Sequence, residues 1–305
     1  MKKILNLAFA FALATTFVAC SDDDNNNNNI VPTTGDLIVD FTGLEELGAD
    51  FVYEGWLIVN GSPVSTGTFT SVTFPQTYTV GIDNLQAATT FVLSIEPAGE
   101  TGADALAPAA TKLLAGNFSG DTASVNSDNI VVDSSGEIKA LGSSWGKYFL
   151  ATPTDNDDSN EASGIWFLDN TTPPAVAGLG LPTLTDGWKY EGWVVLNGTP
   201  VSTGTFTAVD AADDNAATSP YKGAVGNGPG FPGEDYVMGS AAGVDFPTDL
   251  KGATVVISVE PSPDNSPAPF TLKPLAHVVP ADADNHTVIS MGAGPKAVLS
   301  GSVIR

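Results

Sequence analysis

The chain has 305 residues, with 35 acidic and 11 basic side chains, a formal charge of −24 and a single cysteine. This charge excludes nucleic acid as a partner and opposes anionic lipid headgroups. One cysteine excludes a disulfide within the chain, and one cysteine with two histidines provides few of the ligands that zinc prefers. The 32 glycines, the 21 prolines and the lack of a long 3.6-residue apolar period predict many short strands, and therefore an all-β fold.

The chain begins with a leader, residues 1–19. Two lysines precede an apolar run that ends at Val18, which is typical of a signal peptide and too short for a membrane span. The stretch Phe17-Val18-Ala19-Cys20 resembles a bacterial lipobox. The resemblance implies cleavage before Cys20 and acylation of Cys20, with palmitate among the chains, so that the protein is anchored in a lipid bilayer. The alternative is an ordinary secreted protein with a stray cysteine.

Residues 20–34 are predicted to be a disordered tether. Ser21-Asp22-Asp23-Asp24 and the five asparagines that follow contain no apolar surface to bury. An acidic segment directly after a lipidated cysteine also resembles the signal that sends lipoproteins of some Gram-negative bacteria to the outer cell surface. We therefore expect a lipoprotein of the outer membrane in a bacterial cell envelope, with exposure on the cell surface as one option and the leaflet left open.

One stretch of 20 residues occurs twice. Residues 53–72 read YEGWLIVNGSPVSTGTFTSV and residues 190–209 read YEGWVVLNGTPVSTGTFTAV, with 15 identical positions and no gap. Because the offset of 137 residues exceeds the roughly 20 to 50 residues of solenoid repeats, each copy should belong to a whole domain. In each copy an apolar run is closed by Asn-Gly, at Asn60-Gly61 and Asn197-Gly198, which predicts a tight β-hairpin.

The repeat predicts two tandem β-sandwich-like domains related by internal duplication. The first domain is placed at 35–154 and the second at 164–305, joined by an acidic linker at 155–163. The second copy holds 27 extra residues, an insert at about 210–250. We interpret the insert as an ordered loop that caps the second domain or packs against the first, with covering of a sheet edge as the alternative. The last strand, 297–304, is expected to close the second domain.

The same order of motifs occurs in both copies: a strand with tryptophan, a glycine turn, Pro-Val, Gly-x-Phe, and later a strand that ends in Glu-Pro. This order resembles the C-terminal extracytoplasmic domain of anti-sigma-K factors over about a third of the chain. The residues that carry the resemblance are Trp56, Gly61, Pro63, Gly67, Phe69, Glu96, Pro97 and Gly99, and in the second copy Trp193, Gly198, Pro200, Gly204, Phe206, Glu260 and Pro261.

The resemblance implies a β-sandwich but does not bring sigma-factor control with it. In that family a cytoplasmic helical domain and a membrane-spanning helix bind the sigma factor and signal. We expect neither in this chain.

Four glutamates recur at corresponding positions, Glu54 and Glu96 in the first copy and Glu191 and Glu260 in the second. Paired carboxylates could perform acid–base chemistry or hold a cation if they meet in space. The alternative is that each accepts backbone hydrogen bonds or faces water. The acidic run at 155–161 is a weaker calcium candidate, with a solvated loop as its alternative. The sequence assigns no metal, no cofactor and no catalytic residue.

Aromatic side chains provide the remaining candidates for ligand contact. Four tryptophans could stack on sugar rings, although core packing is expected for the two in apolar strands. Trp188 follows Asp186 and Gly187 and is the one expected to be exposed. The insert combines aromatic and acidic residues densely. The ligand candidates are therefore Trp188, Phe231, Glu234, Asp235 and Tyr236.

These patterns predict a non-enzymatic, lipid-anchored extracytoplasmic protein that binds an unknown protein or glycan. A surface glycan-binding lipoprotein and a structural envelope spacer are alternatives, and a glycoside-active enzyme is the least favoured. An enzyme should show titratable groups with shifted pKa in a cleft. A spacer should show a smooth acidic surface without a cleft.

Overall fold

The computed structural model describes residues 32–133, 135–264 and 266–305. The predicted leader, Cys20 and most of the predicted tether lie outside the described residues. Strands account for 46% of the described residues and helices for 7%, so the predicted all-β class is confirmed. Residues 33–305 form one compact unit.

Nine strands lie in the described residues of the first half of the chain. They are β1 (Thr34–Thr42), β2 (Phe51–Val59), β3 (Ser62–Phe69), β4 (Gln76–Gly81), β5 (Ala88–Pro97), β6 (Lys112–Ser119), β7 (Thr122–Asn126), β8 (Val131–Val132) and β9 (Trp145–Leu150). One short α-helix, α1 (Ile82–Ala87), joins β4 to β5. Four single-turn 3₁₀ helices occupy Asp104–Leu106, Asp128–Ile130, Leu141–Ser143 and Glu161–Ser163.

The second half adds further strands, several of them only two residues long. They are β10 (Gly164–Trp166), β11 (Leu168–Asp169), β12 (Val176–Ala177), β13 (Leu179–Gly180), β14 (Thr183–Leu184), β15 (Trp188–Leu196), β16 (Thr199–Phe206), β17 (Gly233–Asp235), β18 (Ser240–Ala241), β19 (Val244–Asp245), β20 (Thr254–Pro261), β21 (Lys273–Val278), β22 (Ile289–Ser290), β23 (Gly292–Lys296) and β24 (Ser300–Ile304).

The largest sheet has eight antiparallel strands in the order β3-β2-β5-β6-β7-β24-β1-β4. Its two end strands approach each other. The ring of Phe69 in β3 lies 6.0 Å from that of Tyr78 in β4, and Phe74 lies 6.0 Å from Phe69 between them. The sheet therefore curls into a near-barrel, and aromatic packing covers the seam where backbone pairing stops.

The second copy of the repeat lies in a separate five-stranded sheet, ordered β16-β15-β20-β21-β23. Another five-stranded sheet contains β13-β9-β10-β17, with β22 also paired to β9. The insert supplies β17, which pairs with β10. It is thus ordered, and it covers an edge of β10, as the edge-covering interpretation of the insert expects.

Both predicted hairpins are confirmed. Asn60 and Gly61 have φ angles of 51° and 79°, and Asn197 and Gly198 have 50° and 79°, the positive pair that a tight hairpin turn requires. The register of each hairpin shifts at the same point, after Gly55 and after Gly192. The two copies therefore share turn, register and bulge.

The last strand lies elsewhere than the sequence suggested. β24 pairs with β7 on one side and β1 on the other, so it belongs to the sheet of the first copy and does not close the second. Val303 is completely buried there, and pairing on both sides leaves neither β1 nor β7 with an open edge. The guanidinium of Arg305 donates to the carbonyls of Leu85 and Ala88 at 2.6 Å each.

One hydrophobic core contains side chains of both copies. Leu57 and Phe91 from the first copy, Tyr190 and Ile257 from the second, and Val303 from the last strand all belong to it. The ranges 35–154 and 164–305 remain a prediction about the extent of the repeats. What the structure shows is a shared core under both.

Substitutions in β24 test this coupling. Val303→Ala should lower the free energy of unfolding by about 2 kcal/mol, because it leaves a cavity in the core. Ile304→Ala is the matched control, since Ile304 is 43% exposed on the same strand and should change stability by no more than about 0.5 kcal/mol. Urea titration with near-UV circular dichroism measures both. Equal, small effects of the two substitutions would contradict the placement of β24.

Candidate functional site

A hydrogen-bonded group of tryptophan, serine and glutamate occurs in each copy, and we call it the Trp–Ser–Glu cluster. In the first copy Trp56 Nε1 donates to Ser94 Oγ at 2.8 Å, and Ser94 donates to Glu96 Oε1. In the second, Trp193 Nε1 donates to Ser258 Oγ at 2.8 Å, and Ser258 donates to Glu260 Oε1. Every donor in the two clusters thereby has a partner.

Strand geometry explains why the cluster forms. Side chains two residues apart on a strand point to the same face, so Ser258 and Glu260 of β20 share a face. Glu191 of β15 lies directly opposite Ser258, and Trp193 lies two residues further along. All four side chains therefore meet on one face. The first copy has the same register, with Glu54 opposite Ser94.

A second serine holds the other glutamate of each pair. Ser65 donates to Glu54 Oε1 and Ser202 donates to Glu191 Oε1. Each of these hydroxyls in turn accepts the backbone N–H of the bulge glycine two residues later, at 3.1 Å and 2.9 Å. The hairpin bulge thus fixes a serine that orients a nearly buried carboxylate.

Three carboxylates converge in the second copy. Glu191, Glu260 and Asp264 each offer one oxygen, and these oxygens all lie within 4.8 Å of one another. The predicted pair Glu191 and Glu260 is thus brought together. Sequence reasoning missed Asp264, although a signal existed: Asp264 lies four residues after Glu260, as Glu100 lies four residues after Glu96.

Burial changes the acidity of this group. It raises the pKa of Glu260 to about 8 and of Glu191 to about 7. The hydrogen bonds from Ser258 and from the backbone N–H of Phe270 oppose the shift at Glu260, while the neighbouring carboxylates add to it. In the first copy burial likewise raises the pKa of Glu96. Desolvation outweighs the hydrogen bonds in both copies.

A cleft of about 400 Å³ opens beside this group. Its walls come from both copies of the repeat, including the strand ends at Pro97 and Pro261. Rings, prolines and aliphatic groups alternate there with four carboxylates. The lining residues are Glu45, Glu46, Leu47, Gly48, Phe51, Ile95, Pro97, Ala109, Ala110, Thr111, Glu260, Pro261, Ser262, Pro263, Asp264, Ser266, Pro267 and Phe270.

The tryptophans do not provide the stacking surface considered from the sequence. Trp188 is only 3% exposed, so its expected exposure is wrong. It begins β15 opposite Pro261, and its ring lies 6.1 Å from that of Phe270. Trp56, Trp166 and Trp193 are buried as well. The exposed tryptophan is Trp145, at 52%.

The ligand candidates of the insert are also turned inward. Glu234, Asp235 and Tyr236 are buried, and Phe231 is half-buried against a small core that contains Trp166. Asp235 accepts hydrogen bonds from Trp166 Nε1 and from the backbone N–H of Thr154, both at 2.7 Å. These side chains hold the insert against β10 and offer little surface to a ligand.

The acidic run at 155–161 folds on itself. Asp155 and Asp157 accept backbone N–H groups two residues ahead, at 3.1 Å and 3.0 Å. Glu161 accepts the backbone N–H of Thr152 at 2.9 Å and lies 3.0 Å from His286 Nε2. These contacts are those of an ordinary surface loop.

Residues 28–112 match the family model for anti-sigma-K factor rskA, C-terminal. The predicted resemblance is confirmed for that stretch, which includes the Trp–Ser–Glu cluster of the first copy. No curated protein and no solved structure matches the chain.

The anti-sigma-K C-terminal domain is extracytoplasmic in anti-sigma factors. Within residues 32–133, 135–264 and 266–305, none of the helices has the length and apolar character needed to cross a bilayer. The matched region ends at the first residue of β6, so the cleft combines this anti-sigma-K-like region with residues of the second copy.

The raised pKa of Glu260 makes stability depend on pH. The folded chain keeps this proton up to about pH 8, whereas the unfolded chain releases it near the ordinary value of 4.5. The folded state binds more protons in that window, so the free energy of unfolding should fall as pH rises through it. Glu260→Gln should reduce this slope without abolishing it, because the raised pKa of Glu191 also contributes to it. The free energy of unfolding of Glu260→Gln should exceed that of the wild type at pH 8 by about 1 to 3 kcal/mol.

Urea titrations at pH 5 and pH 8 in metal-free buffer measure this difference. Glu137→Gln is the control, because Glu137 is exposed and should leave the slope unchanged. An unaltered slope in Glu260→Gln would show that the pH dependence arises elsewhere.

Proposed function

We propose that this chain is a non-enzymatic, lipid-anchored binding protein of a bacterial cell envelope, and that its ligand occupies the cleft between the two copies. The cleft carries the proposal, since it joins loops that no single copy provides. A volume of about 400 Å³ lies within the range of small-ligand sites. The anti-sigma-K-like region supports an extracytoplasmic location, and the leader at residues 1–19 directly before Cys20 supports lipid anchoring.

The chemistry of the cleft favours a ligand that is both apolar and positively charged. Phe51, Phe270 and several prolines supply apolar surface, and Glu45, Glu46 and Asp264 supply negative charge. The formal charge of −24 adds a long-range attraction for cations. An extended segment of a partner protein, with lysine or arginine between apolar residues, fits this description.

Raised carboxyl pKa values beside a cleft are also what an acid–base enzyme needs, so an enzymatic function has to be weighed. Both oxygens of Glu260 accept the backbone N–H of Phe270, at 2.9 Å and 3.1 Å. Glu96 likewise accepts a hydrogen bond from a serine, Ser94, which is itself held by Trp56, and its pKa is also raised. Glu96 nevertheless lies outside the cleft lining. The shift therefore belongs to the repeated strand end, which favours a structural role and a binding protein.

A structural spacer and a glycan-binding protein receive less support. A smooth spacer would not need a cleft lined by both copies. A glycan-binding site would have to use Trp145, because the tryptophans considered from the sequence are buried. A glycan array tests sugar binding directly, and loss of glycan binding in Trp145→Ala would favour a site at Trp145 over the cleft.

Lipid anchoring is tested at Cys20. Cys20→Ala should move the protein from the membrane fraction to the soluble fraction, because the acyl chains are lost. Ser21→Ala is the matched control and should remain with the membrane. Fractionation followed by mass spectrometry of the N-terminus gives the result. An unmodified N-terminus on the wild-type protein would disprove the anchor.

Cleft binding is tested with an array of short synthetic peptides that carry lysine or arginine between apolar residues. Phe51→Ala should weaken peptide binding about tenfold, because it removes a large apolar contact. Leu106→Ala should not, since Leu106 is 71% exposed and lies outside the cleft. Fluorescence anisotropy on the best peptide gives the dissociation constants. Equal affinity for acidic counterpart peptides, or no effect of Phe51→Ala, would rule out the proposed ligand class.

A further inference from the structure

The carboxylates of Glu191, Glu260 and Asp264 come together beside the cleft. A peptide in the cleft does not explain this, because two of the three carboxylates are buried. Glu191 is 5% exposed and Glu260 is 1% exposed. Each of the three residues places a carboxylate oxygen within 4.8 Å of the others. Negative charges held so close in a buried place repel one another and lose hydration. Something has to offset that cost, either protons or a cation.

A separate observation points to a cation. Glu191 Oε1 accepts the hydroxyl of Ser202, but Glu191 Oε2 is buried without a hydrogen-bond partner. Buried carboxylate oxygens are normally paired. In the part of the chain that the structure describes, no lysine, arginine or histidine forms an ion pair with Glu191 or Glu260. The nearby ammonium of Lys273 donates to the carbonyl of Phe270 at 2.6 Å.

We propose that Glu191, Glu260 and Asp264 bind a calcium ion. Calcium takes oxygen ligands at about 2.3 to 2.6 Å, so oxygens on opposite sides of one ion are separated by about 5 Å. The three oxygens all lie within 4.8 Å of one another, so they are close enough to share one such ion. Glu260 and Asp264 also line the cleft, from which water can supply the remaining ligands. Magnesium suits the site less, because it demands a tighter octahedral shell.

The surrounding hydrogen bonds orient the ligands. Ser258, itself held by Trp193, donates to Glu260 Oε1, and the backbone N–H of Phe270 reaches both oxygens of the same carboxylate. The backbone N–H of Ser266 donates to Asp264 Oδ1 at 2.8 Å. Such outer partners fix the direction of metal-ligating carboxylates.

The first copy provides an internal comparison. Glu54, Glu96 and Glu100 occupy the corresponding positions, and Glu96 Oε2 and Glu100 Oε2 are buried without partners. Among the described residues, however, only the second copy brings three carboxylates within the metal-binding distance. We therefore assign the calcium site to the second copy alone. This inference goes beyond the proposed function, because it concerns calcium binding in the absence of any peptide.

The experiment uses the full chain carrying Cys20→Ala, titrated with calcium chloride by isothermal calorimetry in chelator-treated buffer at pH 7.5. One site is expected, with a dissociation constant of about 10⁻⁴ to 10⁻³ M, as in extracellular calcium modules. Terbium emission excited through tryptophan gives a second readout, since Trp193 is hydrogen-bonded to the Ser258 that contacts Glu260.

Glu260→Gln and Asp264→Asn should each weaken binding about tenfold or more, because each removes a charged ligand. Asp264 lies in a half-buried loop, so Asp264→Asn preserves a folded protein for the test, and circular dichroism checks this. Glu96→Gln is the matched control and should bind calcium as the wild type does. Absence of calcium heat and terbium emission in the wild type would overturn the proposal. So would unchanged affinity in both site variants, equal loss in Glu96→Gln, or equal affinity for magnesium.

Failure of this experiment is distinguishable from failure of the proposed function. Calcium binding is measured without peptide, and peptide binding is tested through Phe51, which belongs to neither carboxylate group. Calcium binding with no peptide affinity would leave the metal site standing and remove the cleft ligand. Peptide binding without calcium binding would leave the cleft ligand standing and remove the metal site.

Discussion

The structure depends on one constraint, the need to satisfy a buried glutamate at the end of a central strand. Glu96 and Glu260 are each 1% exposed, and a carboxyl group in such a place requires hydrogen-bond partners. The serine two residues earlier provides one and is itself held by a tryptophan from the neighbouring strand. The backbone of the following loop provides another, at Ala109 in the first copy and at Phe270 in the second. These bonds tie each loop to its strand end, and the tied loops form the cleft.

The same constraint accounts for the electrostatics of the cleft. Because these strand positions are buried, their carboxyls are stripped of water, and burial raises the pKa of Glu96, Glu191 and Glu260. A carboxylate on the surface would keep its water and remain ionised. The acidic loops show the contrast. In Asp157, hydrogen bonds from Ser159 lower the pKa, and the side chain faces solvent. Burial therefore raises the pKa of some acidic side chains, whereas hydrogen bonds at the surface lower the pKa of others.

The anti-sigma-K-like match has a structural meaning in this context. It covers residues 28–112, the part that contains the first Trp–Ser–Glu cluster and the loop to β6. The second copy repeats the cluster in another sheet, where the third carboxylate is close enough to form a group of three. Similar local geometry is therefore combined with different carboxylate arrangements in the two copies. The difference comes from the residues after Glu-Pro, which are Ala98-Gly99-Glu100 in one copy and Ser262-Pro263-Asp264 in the other.

The sequence by itself determined the local features. The all-β class, the two hairpins with their Asn-Gly turns and the resemblance of the first copy follow from short-range patterns, because turn geometry and strand alternation depend on neighbouring residues. It also picked out the four glutamates but not whether they meet. Only the tertiary structure decided that, through the register that sets Glu191 opposite Ser258. The placement of β24 between β7 and β1, the burial of Trp188 and the role of Asp264 were decided in the same way. Strand partners far apart in the chain are chosen by the packing of the whole core, which no local pattern records.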